Sequence, residues 1–311
     1  MSQFSRRRFS GLVAGLVASV PMGLSAFRPV RFSDKKIKVL LLTGQSNHSW
    51  QRTTPLIEDI LREAGLFQVE ISMTPPRGAA PEVWETWRPS FVRYDVIINN
   101  YCGDPWPTVV QNRFLSYIEG GGDCLILPTA NNAFEGWVPY EAMVGLLGRD
   151  STYGERVYLD GAEAPVRVPA GQGPGAGHSN VHDWPVTIRD KEHPITKGMP
   201  PVWMHAHDKL YHGQRGPVRG MNLLATAYSS KENGGTGQHE PVVWWIPYGK
   251  GRVLTCLLGH LWPTQEEVTA YRCVGFRTLL SRVTEWLATD QVSLTIPDNF
   301  PTAEQTSTIS L

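Results

Sequence analysis

Hydrophobic residues in the first half of the chain occur in short runs that alternate with stretches of helical spacing. Four runs predict β-strands, at residues 37–43, 67–73, 94–99 and 123–127. Between them, apolar residues at helical spacing predict helices that follow Pro55 and Pro107, and glycines end both patterns. Because strands and helices alternate, the pattern predicts a doubly wound α/β fold with a mostly parallel sheet.

The pattern changes between about residues 148 and 222, where glycine and proline are frequent and strand candidates are short. We expect this segment to be an irregular insertion that lies over the strand ends. Regular patterns return in three further strands, at 223–228, 241–246 and 252–258, and in a last helix at 274–289. The main domain is therefore expected at 34–290, followed by a polar, proline-containing tail at 291–311.

Residues 1–33 have the pattern of a twin-arginine export signal followed by a linker. Three arginines, Arg6 to Arg8, precede a weakly apolar run at 11–26, and no acidic residue occurs before Asp34. Pro21 and several glycines interrupt this run, so it makes a poor membrane-spanning helix. We expect a periplasmic or otherwise extracytoplasmic protein, with cleavage of the signal left open.

The composition of the chain argues against nucleic acid as a partner and is compatible with a small-molecule carbohydrate. The 29 basic and 29 acidic residues give a formal net charge of zero, with no basic patch. Eleven tryptophans and ten tyrosines suit both a core and the stacking of sugar rings. The four cysteines lack metal-binding spacing, so we expect buried thiols and leave a disulfide open.

Polar side chains follow the predicted strands, at the edge where open α/β sheets bind their ligands. Asn47, His48 and Trp50 follow the first strand. Other strands are followed by Tyr101, Asn131 and His260. A purely structural sheet does not require hydrogen-bonding side chains at so many strand ends, so we expect a pocket there.

The segment 203–212 is the richest in chemistry, with three histidines, Asp208 and Tyr211. His239 and Glu240, directly before the strand at 241–246, place an imidazole beside a carboxylate, which is a pairing used in general base catalysis. The predicted acid–base residues are Asp208, His239, Glu240, His260 and His48. The predicted sugar-binding residues are Asn47, Trp50, Tyr101, Asn131 and Tyr211.

The cofactor is left open, and a divalent metal is a candidate ligand of this segment. On an extended backbone His205 and His207 face the same side, as two metal ligands would, and Asp208 or His212 could complete the set. Their spacing matches no established ligand motif, and a solvated histidine-rich loop is the alternative interpretation. A thiol nucleophile is disfavoured because Pro128 and Thr129, not cysteine, follow the fourth strand.

Several segments, taken in order, resemble the ThuA-like (trehalose utilisation) family over about residues 36–289. They are TGQSNHSW, NNAFEGW, DKEHPITKG, DKLYH, GGTGQHEPVVWW, YGKGRV and LGH. The resemblance implies a flavodoxin-like fold similar to the class I glutamine amidotransferases, without their thiol. It also implies a role in carbohydrate metabolism, on keto-sugars or glycosides. The chain departs from the family pattern at Thr129, where many relatives have histidine, and at Lys209, where they have glutamate.

Together these observations predict an exported sugar-processing enzyme that hydrolyses or eliminates a glycoside or keto-sugar by carboxylate and histidine chemistry. The alternative is a non-catalytic carbohydrate-binding or accessory protein that keeps the pocket. The oligomeric state is left open.

Overall fold

The computed structural model describes residues 35–161 and 163–310, and residues from Lys36 onward form one compact unit. The predicted twin-arginine signal and linker lie outside the described residues. Within those ranges, no helix combines the length and the apolar character needed to cross a membrane.

One sheet runs through the described part of the chain. Its strands are β1 (Ile37–Thr43), β2 (Phe67–Met73), β3 (Val96–Asn99), β4 (Cys124–Ile126), β5 (Glu155–Leu159), β6 (Pro165–Val168), β7 (Gly177–Ile188), β8 (Val202–His212), β9 (Arg215–Gly216), β10 (Asn222–Tyr228), β11 (His239–Tyr248) and β12 (Gly251–Cys256). The helices are α1 (Trp50–Glu63), α2 (Pro81–Thr86), α3 (Thr108–Glu119), α4 (Val138–Val144), α5 (Thr269–Arg272) and α6 (Val274–Thr289).

The strand order is β2-β1-β3-β4-β12-β11-β10-β7-β8. The first five of these strands pair in parallel, and the others extend the sheet in antiparallel fashion. The predicted α/β class, with a parallel centre between helices, is confirmed.

Alternate residues of β1 show why this strand is apolar throughout. Val39 and Leu41 belong to the core on the side of α1 and α6, whereas Leu40 and Leu42 belong to the core on the side of α3 and α4. A strand with helices on both faces buries both sets of side chains. The centre of the sheet is thereby a rigid base for the loops at its carboxyl edge.

The segment 148–222, expected to be an irregular insertion, contains two long regular strands. β7 and β8, with 12 and 11 residues, form a long antiparallel pair at the edge of the sheet. Trp184 and Trp203 bury their indoles on one face, while histidines and aspartates interrupt the apolar pattern. Because polar residues interrupt the apolar pattern in β7 and β8, the hydrophobic pattern did not predict these two strands.

The predicted C-terminal tail is packed against β8 and α6. The Phe300 ring lies 5.5 Å from the indole of Trp203, measured between centroids. The backbone N–H of Met204 donates to Thr302 O at 2.8 Å, and that of Val274 donates to Ser307 O at 2.9 Å. The tail thus covers the outer edge of the strand that carries Asp208.

Candidate active site

Asp208 is the centre of a buried hydrogen-bond network between β8 and the loop after β12. Its carboxylate accepts from His205 Nε2 at 2.8 Å, from His260 Nδ1 at 3.0 Å, and from three backbone N–H groups, those of Lys209, Gly259 and His260, at 2.7, 2.8 and 3.2 Å. Gly259 has a φ of +95°, and a Cβ there would lie 2.6 Å from the ring of Phe276. Glycine is therefore required for this close approach of the loop to the carboxylate.

The buried charge of Asp208 is balanced by imidazole. Burial alone would raise the pKa of Asp208, but the imidazoles of His260 and His205 hold it well below its ordinary value. Burial opposes protonation of His205, yet its hydrogen bond to Asp208, with a contribution from Cys273, raises the pKa of His205 to about 9. Asp208 and His205 therefore form an ion pair at neutral pH.

His260 is held by Asp208 through Nδ1, and its other ring nitrogen is free. Nε2 of His260 is buried and has no hydrogen-bond partner among the described residues. The ring lies 4.0 Å from that of Tyr211 and 5.3 Å from that of His48, between centroids. With Nδ1 donating to the carboxylate, Nε2 is the nitrogen able to accept a proton.

His48 and Tyr211 form the second part of the site. Nε2 of His48 lies 3.3 Å from the Tyr211 hydroxyl, and its ring contacts Trp262 at 5.0 Å between centroids. Burial, and after it the nearby His260, lower the pKa of His48 well below its ordinary value, so this ring is neutral at pH 7. Burial raises the pKa of Tyr211, so its hydroxyl remains protonated.

A cavity of about 180 Å³ opens beside this group at the carboxyl edge of the sheet. It is lined by Asn47, Asn132, Gly148, Ala176, Gly177, His178, Tyr211, Gln214 and Trp262. His48 and His260 are only 3% and 1% exposed and lie directly behind Trp262 and Tyr211. Neither histidine contacts the cavity directly in this arrangement, so Nε2 of His260 reaches a bound ligand only when the cavity wall in front of it opens.

The structure brings six of the predicted residues to this place. Asp208, His260 and His48 form the buried network, and Tyr211 and Asn47 line the cavity. Asn131 is buried one layer deeper, where its Nδ2 donates to Oε1 of Gln214 at 2.9 Å and so positions a cavity wall.

Tyr101 and Trp50, both predicted to bind sugar, lie elsewhere. Tyr101 is fully buried, stacks on Phe134 at 5.7 Å between ring centroids, and donates its hydroxyl hydrogen to Asp104 O at 2.5 Å. Trp50 is the first residue of α1 and does not line the cavity. Both follow strand ends in sequence, but neither is among the residues that line the cavity.

His239 and Glu240 are neighbours on β11, so their side chains point to opposite faces of the sheet. Glu240 is buried, pairs with Arg156, and accepts from Thr236 Oγ1 at 2.6 Å and from the Gly213 N–H at 3.0 Å. His239 packs against Tyr228, and burial lowers its pKa. In the described part of the chain, neither has a hydrogen bond or ring contact with the Asp208 network.

The three histidines considered as metal ligands are separated by the structure. His205 is buried against Asp208, while His207 is exposed, because a bulge in β8 breaks the alternation that would place both on one side. His212 is buried, with Nδ1 lying 3.1 Å from the hydroxyl of Ser229. Among the described residues, no group of three or more His, Cys, Asp or Glu side chains is arranged to hold a metal ion.

Sequence reasoning did not assign several residues of the cavity wall to the site, among them Trp262, His178 and Gln214. Trp262 follows His260 in the loop after β12, so its position at a strand end was the available signal. His178 and Gln214 belong to the segment expected to be irregular, where no regular pattern indicated their direction. Their placement depends on the pairing of β7 with β8, in which His178 opposes Tyr211.

Fold and site together define an α/β protein with an Asp–His pair behind a small polar cavity at the carboxyl edge of its sheet. A model of the trehalose utilisation family, ThuA, matches residues 38–287. The chain belongs to this family.

Two solved structures are similar to this chain, one in both sequence and fold and the other in fold alone. A ThuA-like protein from Parabacteroides merdae is 38% identical, with a TM-score of 0.82 over 88% of this chain and 98% of its own. A ThuA-like protein from Bacteroides uniformis is 16% identical, with a TM-score of 0.53 over 86% and 97%, which shows the fold alone. No curated protein matches the chain.

Proposed function

We propose that this ThuA-family chain is a sugar-processing enzyme that hydrolyses or eliminates a glycoside or keto-sugar by acid–base chemistry. The observation that carries the proposal is His260. Its Nδ1 is held by Asp208 at 3.0 Å, while its buried Nε2 has no partner among the described residues. An imidazole oriented by a carboxylate and left free at its second nitrogen is suited to act as a general base.

His260 is a better base in this site than either carboxylate considered from the sequence. Asp208 already accepts five hydrogen bonds, and its pKa is held low, so it orients His260 and does not itself take a proton. Glu240 is engaged with Arg156 and does not line the cavity. The role of Asp208 is therefore that of a positioning residue.

Tyr211 supplies the complementary group. Its hydroxyl remains protonated and lies 3.3 Å from His48 Nε2, and its side chain lines the cavity. In an elimination, with the cavity wall in front of His260 open, its Nε2 removes the proton next to the sugar carbonyl, and the Tyr211 hydroxyl hydrogen-bonds the oxygen on which charge develops. The electron pair of the broken C–H bond forms a C=C bond as the bond from the adjacent carbon to the leaving oxygen breaks, and the imidazolium gives the proton to that oxygen. In a hydrolysis, the same nitrogen takes a proton from the water that attacks the anomeric carbon, the glycosidic C–O bond breaks, and the imidazolium gives the proton to the departing oxygen.

The test is turnover of a panel of disaccharides and their keto forms by the purified full chain, with and without added divalent metal. We expect at least one substrate to be consumed, and His260→Gln to lose most of that activity. If the wild-type protein consumes none of the panel under either condition, the proposed function is contradicted.

A non-catalytic carbohydrate-binding protein is the second candidate. The observation in its favour is that His48 and His260 are almost fully buried and do not line the cavity directly. Calorimetry separates the two functions. A binder takes up sugar without turnover, and Asp208→Ala changes only its affinity, whereas an enzyme loses turnover with that substitution.

We also propose that the protein acts outside the cytoplasm. The support is the arginine-rich start followed by the weakly apolar run at 11–26. Twin-arginine export carries proteins that have already folded. The site combines strand ends that are far apart in sequence, so it forms only on folding and would be complete before export.

A further inference from the structure

Lys209 is a cation beside the cavity wall that has no carboxylate partner among the described residues. It follows Asp208 on β8, and its Nζ lies 4.3 Å from the ring centroid of Trp262, a residue of the cavity wall. Among the described residues, no carboxylate oxygen lies within 4.0 Å of this ammonium. The neighbouring Asp208 already forms an ion pair with His205, and the imidazolium balances its negative charge.

The rest of the wall adds no negative charge. None of the nine residues that line the cavity is acidic. The carboxylates behind it are engaged with arginines, Glu240 with Arg156 and Glu141 with Arg149 at 3.8 Å. A concave site without acidic lining residues, with an ammonium that lacks a carboxylate partner beside its wall at Trp262, attracts negative charge.

The size and the remaining groups of the cavity suit a single sugar ring. Its volume of about 180 Å³ is below the ~300–1,000 Å³ of pockets for drug-sized ligands. Asn47, Asn132 and Gln214 offer amide groups to hydroxyls, and Trp262 offers an aromatic face. The hydrogen-bonding groups therefore fit a sugar, and the unbalanced charge fits an acidic one.

We propose that the cavity takes a monosaccharide unit that bears an anionic group, a carboxylate or a phosphate, with Lys209 as its counter-ion. This inference rests on the proposed function, in that the cavity binds a sugar. Burial lowers the pKa of Lys209, and Asp208 opposes the shift. The ammonium has therefore lost part of its hydration, and an anionic ligand would stabilise the charge in place of that water. A hydrogen bond to a charged group is worth enough to favour the acidic sugar by about tenfold in Kd.

The experiment is a calorimetric titration of the full chain at neutral pH with matched neutral and acidic sugars. The probes are D-glucose, D-glucuronate and D-glucose 6-phosphate, with D-galactose and D-galacturonate as the epimeric pair. The variants are Lys209→Met, which removes the charge but keeps the length, Lys209→Glu, which reverses it, and Lys191→Met, an exposed control.

We expect at least one acidic sugar to bind about tenfold more tightly than its neutral counterpart, with an advantage that shrinks at high salt. Lys209→Met should abolish that advantage while the neutral sugar binds as before, Lys209→Glu should reverse it, and Lys191→Met should change nothing. Tighter binding of glucuronate or galacturonate identifies the carboxylate as the recognised group, and tighter binding of glucose 6-phosphate identifies the phosphate.

Two results overturn the inference in distinguishable ways. Equal binding of neutral and acidic sugars, or a preference that survives Lys209→Met, rejects the role of Lys209 and leaves the sugar-binding function standing. Failure of all five probes to bind rejects both the inference and the sugar function on which it rests.

Discussion

His205 and Asp208 are three positions apart on β8, and yet His205 Nε2 lies 2.8 Å from Oδ2 of Asp208. Side chains three apart on a regular strand point to opposite faces. Here Trp184 opposes His205 and His182 opposes Asp208, so three steps along β8 correspond to two along β7. The additional residue forms a bulge, in which His207 has a left-handed φ of +46°.

The bulge gives Asp208 two imidazole neighbours in place of one. His205 neutralises its charge from within β8, and His260 meets it from the loop after β12. Burial of a charged carboxylate beside a single neutral imidazole would lower the free energy of unfolding. The pair with His205 therefore lets Asp208 stay ionised while it orients His260.

The first prediction concerns stability at alkaline pH. The folded-state pKa of His205, about 9, lies above its ordinary value of 6.5, so its contribution is complete below pH 6.5 and is lost as the pH rises through about 9. We expect the free energy of unfolding, measured by urea titration, to fall across that window. In His205→Gln this fall should be much smaller.

His207→Asn is the matched control for this experiment, because it alters an exposed histidine on the same strand. Asparagine tolerates the left-handed conformation found at His207. The control should retain the alkaline fall in full. A fall of the same size in His205→Gln would show that another group causes it.

The second prediction concerns turnover. His260→Gln keeps a polar side chain but removes the free basic nitrogen, and general base catalysis contributes roughly 10²–10⁴-fold in rate. We expect kcat to fall within that range, while the Kd for sugar, measured by calorimetry, changes little. His239→Gln changes a histidine on β11 that does not contact the Asp208 network, so it should leave kcat close to that of the wild type. A comparable loss in both variants would contradict the assignment of the base.

The fold was predictable where hydrophobic residues alone define an element. β1, β2 and α6 have the predicted bounds, because an apolar run, an alternating run or a helical repeat there coincides with the packed element. β7 and β8 were not predicted as long strands. One of their faces serves the cavity and carries polar groups, and this removes the pattern on which prediction depends.

Part of the site was predictable for a geometrical reason. His48 and His260 follow parallel strands, and such strand ends meet at one edge of a sheet. The bulge at His207 has no signal in the sequence, so the pairing of His205 with Asp208 was not foreseen. Tyr101 was assigned to the site by the same strand-end rule, but it packs into the core against Phe134.

The third prediction concerns export. Replacing the three arginines at 6–8 by lysine preserves the charge but removes the paired guanidinium groups of the signal. We expect the protein to accumulate in the cytoplasm and to be strongly depleted from the periplasmic fraction, as measured by cell fractionation and immunoblotting. Arg52→Lys, in the main domain, is the control and should not alter the distribution. Normal periplasmic levels in the triple variant would contradict the proposed route.

The last prediction separates Glu240 from Asp208. Glu240→Gln leaves Arg156 buried without its anion, and breaking a buried pair costs about 3–5 kcal/mol. We expect a large loss in the free energy of unfolding, with kcat of the folded fraction near the wild-type value. Glu58→Gln, which removes a half-buried partner of the exposed Arg62, should change neither quantity appreciably.

Asp208→Asn should behave differently, since it disturbs both the ion pair with His205 and the orientation of His260. We expect it to lose stability and turnover together. If Glu240→Gln instead lost turnover at unchanged stability, Glu240 would be a catalytic group and the ion pair with Arg156 would have to open during the reaction. The two variants, measured side by side, therefore decide which of the two buried carboxylates serves the chemistry.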